Sequence, residues 1–271
     1  MTKQVALITG ASTGIGKETA KLLIEKGYIV YGAARRIEKM QDLKSQGAKI
    51  LQMDVSDDNS MIKGIDEIIN AEGHIDILIN NAGFGSYGAV EDVPMSDAKY
   101  QMEVNVFGLA RLTQLVLPHM RKQKFGEIVN ISSIGGKVTT PLGGWYHASK
   151  FAVEALSDCL RLEVNPFGID VIVIEPGGIK SEWATIAGDH LTKISANTAY
   201  KELAIKTSEA LKKMELKNSD PSVITKLILK AITAKNPKTR YHAGYMAGPV
   251  LFLRKLLPDK LFYKMLMSQL K

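Results

Sequence analysis

The chain has 271 residues, of which 45% are hydrophobic and 23% charged, and it carries a single cysteine, Cys159. Those values are ordinary for a soluble globular protein with a sizeable core; they exclude a low-complexity chain and an internal disulfide, and they fit a reducing compartment. The formal net charge is +7, but it is uneven: from residue 193 onward there are 16 Lys or Arg against 5 Asp or Glu. A basic last third can face an acidic partner, an anionic substrate or a membrane surface, or it can be a solvated lysine-rich face.

Val5-Ala6-Leu7-Ile8-Thr9 is too short for the apolar core of a signal peptide and reads as a buried strand. Gly14 to Lys26 reads as a helix stopped by Gly27, and Tyr28 to Ala33 as a second strand. Ile37 to Ser45 is a short helix, Lys49 to Met53 a third strand and Ser60 to Ala71 a helix. Ile75 to Asn80 is a fourth strand, and Ser96 to Lys122 a long helix with Ser96 as its N-cap. Glu127 to Ile131 is a fifth strand, Tyr146 to Asn165 a helix ending near Pro166, and Asp170 to Ile174 a sixth strand. Strands that are almost wholly apolar and alternate with helices predict a parallel sheet covered on both faces, hence a doubly wound α/β fold of Rossmann type.

After Pro176 the pattern loosens. Residues 180–215 are polar, partly helical and without strands, and read as a lid. Ser222 to Lys235 is a helix opened by Asp220 and Pro221, and Thr239 to His242 a last edge strand. Pro258-Asp259 opens a closing helix with Leu261, Phe262, Met265, Leu266 and Leu270 on one side and Lys260, Lys264 and Lys271 mostly opposite. That helix can pack on the domain, on a neighbouring subunit, on a membrane surface or against an apolar substrate. The expected organisation is a single domain over 1–271, with a cofactor and catalytic core at 1–179, the lid at 180–215 and C-terminal helices with an edge strand at 216–271.

Thr9-Gly10-Ala11-Ser12-Thr13-Gly14-Ile15-Gly16 joins the first strand to the first helix. Its glycines let the backbone turn tightly beside a pyrophosphate, and the helix N-terminus offers free N–H groups. An acidic residue for a ribose 2′-hydroxyl is absent at the end of the second strand, where Ala34 stands with Arg35 and Arg36 after it. Two guanidiniums can pair with a 2′-phosphate, so the expected cofactor is NADP, with NADPH preferred over NADH. Asp54 and Val55 follow the third strand, where they can meet the adenine or, for Asp54, cap a turn. Asn80-Asn81-Ala82-Gly83 ends the fourth strand with small residues that let the backbone pass beside the cofactor.

Tyr146 and Lys150 are four residues apart and share a helix face, and Ser133 can reach the same place from the end of a strand. Together with Thr9-Gly10-x-x-x-Gly14-x-Gly16, Asn80-Asn81-Ala82-Gly83, Asn105, Ala148-Ser149 and Pro176-Gly177, this pattern resembles the short-chain dehydrogenase/reductase family over roughly residues 3–180. The helix from Ser222, Arg240-Tyr241 and Leu256-Leu257-Pro258-Asp259 resemble more loosely its 17β-hydroxysteroid dehydrogenase-like and retinol dehydrogenase-like branch. The resemblance implies Tyr146 as general acid and base, with Lys150 and the oxidised nicotinamide lowering a phenol whose ordinary pKa is about 10 by roughly 3 units. It implies that Lys150 holds the nicotinamide ribose, that Ser133 bonds the substrate oxygen, and that Asn105 fixes a proton-relay water. Pro176, Gly177, Ile179 and Ser181 are expected at the nicotinamide, with Ser181 in place of the family's frequent threonine.

The substrate pocket is expected to include Phe84, Gly85, Tyr87, Ile134, Gly135, Pro141, Leu142, Trp145 and the lid, which predicts a bulky apolar carbonyl or alcohol such as a steroid, retinoid or lipid. A catalytically silent dinucleotide-binding module is the alternative on the same fold. The histidines lack metal-ligand spacing, so no metal is expected, and the charge lacks the aromatic interleaving of a nucleic-acid platform. The family's four-helix contact predicts a homo-dimer or homo-tetramer through the helices bearing Leu109, Leu112, Val153 and Leu156, although those residues can equally cover the sheet. A cytoplasmic location is expected, with peripheral membrane contact through the basic C-terminal part as an option. Cys159 reads as a small helix-packing residue.

Overall fold

The structure is a computed structural model that describes residues 3–268. Its strands are β1 (Val5–Thr9), β2 (Ile29–Ala34), β3 (Lys49–Gln52), β4 (Ile77–Asn80), β5 (Gly126–Ile131), β6 (Ile169–Pro176) and β7 (Arg240–Ala243). They form one sheet in the order β3-β2-β1-β4-β5-β6-β7, and every neighbouring pair runs parallel. The order reverses between β1 and β4, so a crevice opens beyond their carboxyl ends, where doubly wound sheets bind ligands.

The helices are α1 (Gly14–Glu25), α2 (Gln41–Ser45), α3 (Asp58–Glu72), α4 (Met95–Met102), α5 (Gly108–Gln123), α6 (Gly144–Val164), α7 (Glu182–Ser195), α8 (Lys201–Glu215), α9 (Ser222–Ile232), α10 (Ala247–Leu256) and α11 (Asp259–Ser268). Alternation along the strands divides the core in two. Ala6, Ile8, Val30, Ile79, Val129 and Ile174 face one side, against Ala20 and Leu23 of α1, Leu43 of α2, and Ile224 and Ile228 of α9. Leu7, Tyr31, Leu51, Leu78, Ile128 and Val171 face the other, against Ile65 and Ile68 of α3 and Leu112 and Val116 of α5. Because helices cover both faces, β1, β4 and β5 are buried along their whole length.

Local chemistry sets several boundaries. Asp57 caps α3 by accepting from Asn59 N and Ser60 N, which moves its start ahead of the expected Ser60. The expected helix from Ser96 differs in two ways. It begins at Met95 after Pro94, and Ser96 donates to Asp97 Oδ1 rather than capping. It also widens into a π-helical turn over Glu103–Phe107 before α5. No N-cap or glycine announces that turn, and residue periodicity over so short a stretch does not distinguish it from α-helix. Helix α10 has no counterpart among the expected elements, because Gly244, Gly248 and Pro249 are poor helix formers. Pro249 sits in its first turn, where backbone N–H groups have no helical partner to lose.

The edge strand lies where expected, and Arg240 ties it to α6 by bonds to Glu154 (2.9 Å) and Asp158 (2.6 Å). Of the four residues assigned to a subunit contact, Leu112 covers the sheet and Leu109 packs on Val153, while Leu156 is exposed together with Phe107 and Phe151. Cys159 is exposed rather than packed. In α11 Phe262 is fully buried, Met265 and Leu266 half-buried and Leu261 exposed; Leu270 and Lys271 lie outside the described residues.

Glu127 enters β5 at the end of the sheet opposite the crevice, and one of its carboxyl oxygens is buried without a partner. Burial, then repulsion from Asp170 and Asp76, pushes its pKa up from 4.5 to about 8. The unfolded chain therefore releases this proton first, and stability falls as pH climbs from 4.5 toward about 8. Glu127→Gln is expected to raise the thermal midpoint by several degrees at about pH 8.5 and by much less at about pH 5. Thermal denaturation at both pH values checks this; an equal effect at the two would contradict it.

Candidate active site

Beyond the carboxyl ends of β1, β4, β5 and β6 lies a cleft of about 630 Å³. One end is built on the glycine turn. Gly10 sits at φ +66°, and a Cβ there would lie 2.8 Å from Asn81 Nδ2, so only glycine fits. Asn81 Nδ2 donates to Thr9 O (2.9 Å) and Gly10 O (3.3 Å), while Thr9 Oγ1 accepts from Asn81 N and Ala82 N, both at 3.0 Å. Thr9 itself is buried. The ends of β1 and β4 are thus bound together behind the turn that opens α1, whose N-terminal N–H groups face the cleft.

Gly10, Ser12, Thr13, Gly14 and Ile15 line that end, together with Arg35, Arg36, Asp54, Val55, Asn81, Ala82 and Gly83. Gly16 lies behind them, against Asn81 and Gly10 O. Asp54 Oδ1 accepts from Ser56 N (2.9 Å) and Ser56 Oγ (2.7 Å), so this carboxylate caps a turn while still lining the cleft. Arg35 donates to the Tyr100 hydroxyl (2.7 Å), and Tyr100 packs on Phe84 with ring centroids 5.5 Å apart. Arg36 and Lys39 both pair with Glu182 at the start of α7. Arg35 and Arg36 line this end and Lys39 joins Arg36 at Glu182, while Ala34 stands where a carboxylate would repel, so the residues present suit a phosphate on an adenosine ribose.

The other end holds the titratable pair. Tyr146 and Lys150 occupy the cleft side of α6, both buried. Lys150 Nζ donates to Ile131 O (2.9 Å) at the end of β5. Burial lowers its pKa to about 8, partly offset by Glu154 one turn further along the helix. Burial pushes the Tyr146 phenol up to about 12, opposed by a hydrogen bond with Ser133. The lowering expected of Lys150 together with an oxidised nicotinamide would have to overcome this burial. Ser133 accepts from Gly135 N (3.0 Å) and opens a short 3₁₀ turn, so its hydroxyl is held at the strand end.

Asn105 lies beneath the cleft, not in its wall, within the π-helical turn. Its side chain is fully engaged: Oδ1 accepts from Phe84 N (3.0 Å), and Nδ2 donates to Phe84 O (2.9 Å) and Ser149 Oγ (3.0 Å). His147 braces the loop ahead of α6, where its Nδ1 bonds Gly135 O (3.0 Å) and its Nε2 accepts from Thr140 N (3.0 Å).

Several substrate-side expectations change. Pro176, Gly177, Ile179 and Ser181 line the cleft, but the Ser181 hydroxyl caps α7 by accepting from Trp183 N (3.3 Å). Phe84, Tyr87, Ile134 and Gly135 line it too, whereas Trp145, Leu142, Gly85 and Pro141 do not. Trp145 precedes Tyr146 by one residue, about 100° around the helix from the face that Tyr146 and Lys150 share. Leu142 sits at φ +62° and is buried in a cluster with Tyr87 and Tyr146 under the cleft. The indole present is that of Trp183, 5.1 Å from the Tyr146 ring and 5.7 Å edge-on from Tyr87. Gly85 makes room for it, since a Cβ there would lie 2.6 Å from that indole. Glu182, Trp183, Leu211 and Met214 belong to the lid expected at the pocket, though not singled out within it, whereas Tyr100, Asn218 and, beside the cleft, Lys39 carry no motif that marks them in the sequence. They come from helices without a signature, or from turns whose proximity to the cleft depends on tertiary packing. The apolar residues Leu211 and Met214, seven and four residues before Asn218, were the one available signal for a wall facing inward.

A glycine turn at the switch point and a buried tyrosine and lysine across the same cleft are the arrangement of a nicotinamide-dependent oxidoreductase. Residues 4–190 match the short chain dehydrogenase family profile, and the chain belongs to that family of NAD(P)-dependent dehydrogenases and reductases. It is 37% identical over 264 residues to a 3-ketodihydrosphingosine reductase of Bacteroides thetaiotaomicron, covering 96% of both chains. It is 34% identical to an NADPH-dependent 3-dehydrocapnine reductase of Ornithobacterium rhinotracheale, again covering 96% of both. A solved short-chain dehydrogenase from Streptomyces avermitilis superposes with a TM-score of 0.83 at 30% identity, covering 98% of this chain and 95% of that one.

Thr9→Val keeps shape but removes the acceptor of two backbone N–H groups. It is expected to cost about 1–3 kcal/mol of stability and to weaken dinucleotide binding at least severalfold. Denaturant unfolding and titration with cofactor check this; unchanged values in both would contradict the bracing role.

Proposed function

We propose that the protein is an NADPH-dependent oxidoreductase that interconverts a carbonyl and a primary or secondary alcohol on a bulky apolar, lipid-like substrate. The observation that carries this reading is one cleft with arginines at its adenosine end and a buried tyrosine under an apolar roof at the other. Trp183, Ile186, Leu211 and Met214 supply that roof, and Phe84 and Tyr87 the wall. The names of two relatives, both reductases and one NADPH-dependent, support the direction and the cofactor.

A bound nicotinamide supplies the hydride and, when oxidised, a positive charge. Tyr146 donates its proton to the substrate oxygen in reduction and takes it back in oxidation. Ser133 hydrogen-bonds that oxygen and steadies the charge developing on it. Moving a phenol from about 12 to neutrality asks for roughly 7 kcal/mol. Lys150, at about 8, is mostly protonated near that pH and supplies one positive charge toward this, and an oxidised nicotinamide would supply another. Lys150 would also hold the nicotinamide ribose. Because the Asn105 side chain is bound to Phe84 and Ser149, any relay water held by this residue would be held by a group other than its amide. Pro176, Gly177 and Ile179 would flank the nicotinamide, and Ser181 would contribute less there than its hydroxyl suggested, because it caps α7.

Tyr146→Phe is expected to reduce turnover by about 10²-fold or more while leaving cofactor affinity near wild type. Steady-state assays on a panel of long-chain ketones and aldehydes, with NADPH and NADH side by side, check both points. Full activity in the Phe variant would establish a different mechanism, and a preference for NADH would remove the role of Arg35 and Arg36. A protein with no turnover on any carbonyl but tight cofactor binding would be the silent module instead.

The exposed Phe107, Phe151 and Leu156 support a homo-dimer or homo-tetramer built across α5 and α6. At the other end, Phe252, Leu256, Leu261 and Met267 of α10 and α11 are exposed beside Lys255, Lys260 and Lys264. No helix among the described residues is long and apolar enough to cross a membrane. Apolar side chains ringed by lysines instead suit the surface of an anionic bilayer, which would place a cytoplasmic enzyme beside lipid substrates. The protein is expected to sediment with vesicles containing anionic lipid and to stay in solution with neutral ones. Paired Phe252→Glu and Leu256→Glu substitutions are expected to abolish this, and retention by the paired variant would rule out α10 as the contact.

A further inference from the structure

We propose that Glu182 competes with the 2′-phosphate of the cofactor for Arg36 and Lys39, and so makes release of the lid helix depend on a phosphorylated cofactor. The proposal rests on the NADP(H) reading above. It starts from a geometric coincidence. Glu182 Oε1 lies 3.0 Å from Lys39 Nζ, and Glu182 Oε2 lies 3.3 Å from Arg36 NH2. Each carboxylate oxygen thus meets one cation of the group that suits a ribose phosphate. Lys39 and then Arg36 hold this carboxyl below the usual glutamate range. Lys39 is positioned from its other side, because Lys17 Nζ donates to Lys39 O (2.9 Å).

The carboxylate is the first residue of α7, and the next residue is Trp183. Its indole packs on Tyr146 and stands edge-on to Tyr87, so it occupies space directly over the proton donor. One helical turn therefore touches the adenosine end of the cleft through Glu182 and the catalytic end through Trp183. Ser181, which caps that turn, faces the glycine turn, its Cβ 3.5 Å from the position of a Cβ on Gly14.

The ion pairs are half-exposed and individually weak, which suits a latch that a ligand must displace. A phosphate monoester carries up to two negative charges and three acceptor oxygens, against one charge and two oxygens for the carboxylate. Placed on Arg36 and Lys39, it takes their hydrogen bonds and repels Glu182. The first turn of α7 then loses its anchor, and Trp183 can leave the Tyr146 ring to admit substrate. A 2′-hydroxyl neither competes for the cations nor repels the carboxylate, so an unphosphorylated cofactor leaves the latch closed. Glu182 on this account determines cofactor selectivity without belonging to the phosphate site.

The test uses Trp183 as its reporter. The chain has two tryptophans, so Trp145→Phe leaves Trp183 alone. In that background 2′,5′-ADP is expected to shift Trp183 emission to longer wavelength, and 5′-ADP is expected not to. Glu182→Gln is expected to show the shifted emission without nucleotide and to bind 2′,5′-ADP about three- to tenfold more tightly, with 5′-ADP within about twofold of wild type. Glu182→Asp keeps the charge but cannot span both cations, and is expected to behave like Glu182→Gln; wild-type behaviour would reduce the effect to simple repulsion and overturn the two-point latch. If 2′,5′-ADP binds more tightly than 5′-ADP but Trp183 emission does not move, or Glu182→Gln leaves its affinity unchanged, the latch is wrong and the NADP(H) reading stands. If neither protein prefers 2′,5′-ADP to 5′-ADP, the latch and the NADP(H) reading fall together.

Discussion

The hydroxyl of Thr9 accepts the backbone N–H groups of Asn81 and Ala82, and the side chain of Asn81 returns bonds to Thr9 and Gly10. This clasp sits where the sheet order reverses, at the point where β1 and β4 must part to let a crevice form. Two diverging strands would otherwise leave unpaired N–H and C=O groups in a buried place, at a cost of about 1–3 kcal/mol for each unmet group. Satisfying them fixes the glycine turn, and the turn in turn fixes the start of α1 and its N–H groups. The cofactor end of the cleft therefore follows from one side-chain exchange between two strand ends.

The end that bears Tyr146 and Lys150 depends on burial rather than on a clasp. Tyr146 and Lys150 are both taken out of water, and burial moves their pKa values in opposite directions, the phenol up to about 12 and the amine down to about 8. Lys150 stays mostly protonated at neutral pH, whereas the phenol needs further positive charge in the cleft to ionise, which couples its proton to what else is bound there. Asn105 bonds the Phe84 backbone and Ser149 at once, so the π-helical turn, the wall of the cleft and α6 are tied into one unit. Over both ends lies α7, with Glu182 on the arginine side and Trp183 on the tyrosine side.

The core of this arrangement was legible in the residues, since it rests on local patterns. Apolar runs alternating with helices pointed to the sheet, and Gly10, Gly14 and Gly16 between the first strand and helix placed the turn. The Tyr146 and Lys150 pair was readable because four residues on a helix fix a shared face. What stayed hidden depends on contacts between distant segments. Trp145 and Trp183 are equally aromatic in the sequence, but only helix phase and the gap at Gly85 decide which one reaches the cleft. Lys39 and Glu182 are 143 residues apart, and no pattern links them before the chain folds. The π-helical turn at Asn105 and the cap at Ser181 likewise show themselves only in backbone geometry.

The central claim is that hydride and proton meet at one substrate carbonyl above Tyr146, the hydride on its carbon and the proton on its oxygen. Turnover of a long-chain ketone with NADPH carrying deuterium at the transferable C4 position tests it most directly. The account predicts an alcohol one mass unit heavier, with deuterium on the carbinol carbon, formed from the apolar ketone and not from a short polar one. An alcohol without the label, or consumption of NADPH with no alcohol formed, would contradict it.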